Sequence, residues 1–77
     1  MNTSTKTMAL WLKRRINVAK ADKGMSWAQI AAKLSTRGRR VSASSLMSKH
    51  SRSSFTGVEL VALLKVLDVQ TLELPGD

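Results

Sequence analysis

The sequence predicts an all-α domain of four helices, and three observations carry that class. Apolar residues recur at helical spacing in four separate stretches. Three of these stretches open on a Ser or Thr placed to cap a helix, with a hydrophobic residue before it to staple the first turn. Alternation of the kind a strand needs is confined to Thr71, Leu72, Glu73 and Leu74, just before Pro75 and Gly76. With 77 residues and no cysteine, the chain makes one small domain without disulfides or thiolate metal sites.

Met1 to Thr7 is polar and aperiodic, which predicts a flexible arm over residues 1–7 ahead of a domain over 8–69. From Met8 to Lys23, the residues Met8, Leu12, Ile16 and Ala19 fall on one face and Lys13, Arg14, Asn17 and Lys20 on the other. Gly24 ends this first helix, because glycine takes the left-handed conformation cheaply. Ser26 then caps the second. Gln29 stands where its side chain reaches back to the cap, Met25 and Ile30 form the staple, and Trp27, Ile30, Ala31 and Leu34 line the inner face.

Ser35 to Val41 is a basic connection with Gly38 inside it. Val41, Ser42 and Leu46 repeat the staple and cap for a third helix, whose expected inner face is Ala43, Leu46, Met47 and His50. Phe55, Thr56, Glu59 and Leu60 open the fourth, in which Leu60, Leu63, Leu64 and Leu67 form a stripe. Each of those leucines, when fully buried, contributes about 1.5 to 3 kcal/mol. Asp68, tolerant of the left-handed conformation, ends that helix, and residues 70–77 follow as a short extended tail.

Charge narrows the function classes. The net charge is +8, but residues 1–55 carry +11 and residues 56–77 carry −3. A basic field of this kind attracts polyanions. The sequence predicts no transmembrane span and no signal peptide, since the apolar run Met8 to Leu12 is too short and precedes its basic residues. No nucleophile, base and orienting group assemble, and no phosphate-binding glycine loop appears, so the sequence predicts no enzyme and no cofactor. His50, the one histidine, lacks partners for a metal site and reads as structural.

Two capped helices flanking a turn rich in arginine form a helix-turn-helix pattern, though the connection exceeds the usual three or four residues. With Ile30, Ala31 and Leu34 in the second helix, Val41, Ser42 and Leu46 opening the third, and Leu60, Leu64, Leu67 and Val69 later, the chain resembles the lambda-repressor and Cro type of DNA-binding domain. The likeness covers roughly residues 12–70. The order Gly24-Met25-Ser26-Trp27, then Leu46, Lys49, Ser51, Arg52 and Phe55, is also similar to uncharacterised bacterial helix-turn-helix-like domains with the same lengthened turn. The resemblance implies a four-helix, lambda-repressor-like fold and a transcriptional regulator, a repressor among the roles. Where the family often has glutamine at the first position of helix two, this chain has Trp27.

The expected DNA contacts are Arg37, Arg39 and Arg40 on the turn and Ser42, Ser44, Ser45, Ser48, Lys49 and Arg52 on the third helix. Arginine grips phosphates, and small serines let a helix approach the major groove closely. That helix lacks the early Arg, Asn or Gln that reads base edges in pairs, so its contacts position more than they specify. Duplex DNA is the expected partner. The alternative is a protein-interaction module that binds the transcription machinery or a toxin partner. Val61, Val66, Val69, Leu72 and Leu74 lie off the expected core, which points either to a two-fold homodimer through helix four or through pairing of Thr71 to Leu74, or to a monomer whose tail folds back over its own core. The expected setting is cytoplasmic, in a bacterial or phage-encoded protein that joins the nucleoid when bound.

Overall fold

The computed structural model describes residues 5–36 and 38–73. Four α-helices follow in order: α1 Thr5–Lys23, α2 Trp27–Leu34, α3 Ala43–Arg52 and α4 Gly57–Val66. Among the described residues there is no sheet; one isolated bridge joins Thr36 to Arg39. No helix among them is long and apolar enough to cross a membrane.

The caps form as the sequence predicts. Ser26 accepts from the Gln29 amide at 3.1 Å while the Gln29 side chain accepts from the Ser26 amide at 2.8 Å. Thr56 and Glu59 make the same reciprocal pair at 3.2 and 2.9 Å. Ser42 accepts from the Ser45 amide at 3.1 Å. Each pair satisfies amides that the first helical turn leaves without a partner inside the helix.

Three of the helix ends share one device. Gly24, Ser53 and Asp68 take left-handed backbone, with φ of 62°, 53° and 62°. In each case the following amide reaches back five residues: Met25 to Lys20 at 3.2 Å, Ser54 to Lys49 at 2.9 Å and Val69 to Leu64 at 2.9 Å. This is the Schellman closure, which satisfies the last carbonyls. α2 ends differently, on an extended Ser35.

The core gathers Ile16 and Ala19 from α1, Ile30 and Ala31 from α2, Leu46 from α3, and Leu63, Leu64 and Leu67 from and just beyond α4. α2 packs against both α3 and α4. The staple residues Met25, Val41, Phe55 and Leu60 pack against this cluster from its edge, as does Trp27. Asp68, at the end of α4, stands 3.7 Å from Lys23 at the end of α1.

Several expectations need correction. α1 starts at Thr5, not Met8, so Lys6 and Thr7 are helical where an arm was expected; no Gly or Pro interrupts residues 5–23, and propagation is cheap once a helix exists. Residues 1–4 of the expected arm lie outside the described residues. Met8, expected on the inner face, is 45% exposed. The buried residues of α1, Ile16 and Ala19, sit in the second half of this 19-residue helix, so its first half runs on past the core. Met47 is 51% exposed rather than inward, being one residue, about 100° of rotation, beyond the buried Leu46. Val66, Val69 and Leu72 were expected off the core but pack against it. The last turn of α4 and the segment after it therefore cover their own domain. Residues 69–73 have no regular structure, and Leu74 lies outside the described residues.

Candidate functional site

The turn between α2 and α3 is built on Ser35. Its hydroxyl donates to the Ala31 carbonyl at 2.8 Å, accepts from the Val41 amide at 3.0 Å and lies 3.3 Å from the Val41 carbonyl. One half-buried side chain thus ends α2 and pins the far side of the connection beside it. Between these two points, Thr36 and Arg39 exchange both backbone hydrogen bonds, at 2.8 and 3.2 Å. The described residues of the lengthened connection thus form a hairpin tip with a fixed base.

Arg39 and Arg40 are exposed on this tip, and Arg37 lies outside the described residues. α3 follows directly, with Ser44, Ser45, Ser48 and Arg52 exposed. Ser42 is exposed too, but its oxygen is engaged by the Ser45 amide as the α3 cap. Met47 and Ser51 share the outer surface of α3 with these residues and were not among the expected contacts.

Lys49 is placed differently from its neighbours. Its ammonium pairs with the Glu59 carboxylate, which joins α3 to the first turn of α4. The Lys49 hydrogen bond, followed by the Thr56 amide, lowers the Glu59 pKa to about 2. The structure therefore brings Arg39, Arg40, Ser44, Ser45, Ser48 and Arg52 to an open surface while holding Lys49 against α4.

On the opposite side of α3, His50 joins three helices. Its Nε2 lies 3.1 Å from the Asn17 amide oxygen of α1, which can only accept, so Nε2 carries the proton. The ring tilts at 47° against Trp27 of α2, with centroids 5.1 Å apart, and the Lys20 ammonium sits 5.6 Å from the centroid of the Trp27 ring. Burial, then the charges of Lys13 and Lys20, lower the His50 pKa. The neutral ring therefore belongs to the packing of α1, and no cluster of metal-ligating side chains exists among the described residues.

Between the hairpin tip, α3 and α4 runs an open groove of about 620 Å³. Leu34, Val41, Leu46, Val58 and Ala62 line it together with Thr36, Arg39, Arg40, Ser42, Ser45, Lys49 and Glu59. Sequence reading missed Ser35, the Lys49–Glu59 pair and this groove. Ser35 carried a signal, a serine directly after the last apolar residue of α2. The pair and the groove depend on how α4 packs beside α3, which no local pattern encodes.

A family model described as "Domain of unknown function (DUF6471)" matches residues 11–72. The chain belongs to that family. The DUF6471 match takes in α2, the hairpin tip, α3 and α4 entire, and α1 from Trp11 onward, so the surface described above lies within it. No curated protein and no solved structure matches the chain.

Proposed function

We propose that this chain is a DNA-binding regulator of transcription, in which α2 and α3 act as a lambda-repressor-like helix-turn-helix and the outer surface of α3 enters the major groove. The observation that carries this reading is the continuity of an anion-attracting surface. Residues 23–58 hold seven Lys and Arg and no Asp or Glu. Within that span the exposed Arg39 and Arg40 run straight into the exposed Ser44, Ser45, Ser48 and Arg52. Short hydroxyl side chains let the α3 backbone come close to a duplex and donate to phosphates, and the arginines neutralise charge on the flanking backbone.

The reading requires no cofactor, metal or catalytic group. Its contacts are mostly to phosphate, so affinity depends steeply on salt and weakly on sequence. Titration of the protein against a random-sequence duplex at several salt concentrations tests it, with log K expected to fall by about 0.9 per phosphate neutralised. The double variant Arg39→Ala, Arg40→Ala should reduce the magnitude of that slope by about 2. Absence of binding at low salt would overturn the reading, and an unchanged slope would remove the hairpin tip from it.

A further inference from the structure

We infer that the groove between the hairpin tip, α3 and α4 is a docking surface for an acidic segment of another protein that carries apolar side chains. DNA binding by the outer surface of α3 makes no use of the apolar part of this groove, although it shares Arg39, Arg40 and Ser45 with it. Its floor is apolar, formed by Leu34, Val41, Leu46 and Ala62, and Val58 beside it is 81% exposed. Val58 is an apolar side chain that no described residue covers. The rim is cationic. Arg39 and Arg40 are exposed above the floor, and the one carboxylate in the lining, Glu59, is already engaged by Lys49.

These two properties select the occupant. A duplex backbone offers phosphates to the rim and nothing to the floor. An apolar segment fills the floor and leaves two arginines unmatched. A segment with leucine-like side chains at helical spacing and carboxylates between them satisfies both, in the manner of an amphipathic helix laid in a groove. The volume, about 620 Å³, falls within the range of sites that enclose a compact ligand, so a few side chains fill it. Because Arg39 and Arg40 belong to both surfaces, such a partner competes with DNA for them.

The probe is a capped twelve-residue peptide with leucines at i, i+3, i+4 and i+7 and glutamates elsewhere, followed through the protein's methyl resonances. The expected result is saturable shifts at Val41, Leu46, Val58 and Ala62, and displacement of the peptide by excess duplex. Val58→Gln, at an exposed position with no fold to lose, should weaken the peptide by roughly tenfold or more while leaving duplex affinity unchanged. A peptide with serine in place of leucine should not bind. No groove shifts up to millimolar peptide, equal binding of the serine peptide, or indifference to Val58→Gln would each overturn the inference. The duplex titration is a separate measurement, so failure of DNA binding and failure of peptide docking are read independently.

Discussion

At Glu59 one carboxylate oxygen accepts the Thr56 amide at 2.9 Å and the other holds the Lys49 ammonium. A cation that the sequence places on the DNA-facing surface of α3 is thereby turned toward α4. Replacing Glu59 with glutamine separates these two duties, because glutamine keeps the capping box and drops the charge that retains Lys49. Glu59→Gln should increase the magnitude of the salt slope for duplex binding by about 1, as a released lysine takes up one more phosphate. Parallel salt titrations of the two proteins measure this; equal slopes would mean that Lys49 stays out of the interface even when free. His50 shows the same dependence on neighbours. The sequence places it on the inner face of α3, whereas its bond to Asn17, 33 positions away, required the fold.

Local rules serve well where a helix starts and less well where one ends. Ser26, Ser42 and Thr56 all cap as read, since a cap is decided by residues within one turn. Gly24 and Asp68 close their helices as read; Ser53 does the same with φ of 53° and carries no glycine or asparagine signal. Met8 fits the helical stripe in sequence and lies outside the core, because periodicity gives the angle of a side chain but not how far a neighbouring helix extends, whereas Met47 is turned about 100° past Leu46 onto the outer surface of α3. The connection between α2 and α3 is the element on which both surfaces depend. Ser35→Ala would remove the three contacts that fix its base and leave the Val41 amide without its acceptor, a loss of about 1 to 3 kcal/mol. Denaturation should register that loss, and amide exchange at Val41 and Arg39 should accelerate more than exchange at Leu63 in the centre of the core. Retained protection at Val41 would show that the tip is held by something other than the Ser35 hydroxyl.

For the whole molecule, the open question at the level of the sequence was where the apolar residues after α4 go. Val69 and Leu72 lie against the chain's own core beside Val66, the last residue of α4, so the segment after α4 acts as a cover. Its burial is intramolecular, which a sequence cannot distinguish from burial against a second copy. Among the described residues, the large apolar side chains left exposed are Met8, Leu10 and Val18 on α1, Met47 on α3, and Val58 and Val61 on α4. They are spread over three helices, and Val58 belongs to the groove. A stable dimer buries about 800 Å² on each partner with an apolar centre, and two valines on α4 fall well short of that. The expected mass in sedimentation at micromolar concentration is therefore that of one 8.4 kDa chain. Deleting residues 70–77 should leave the protein a single chain in solution while lowering the denaturation midpoint, because Leu72 is removed from the core edge. A two-chain mass that halves on this deletion would instead assign the tail to a partner copy. Two α3 helices would then stand about 34 Å apart across a two-fold axis, and the preferred duplex would carry paired half-sites.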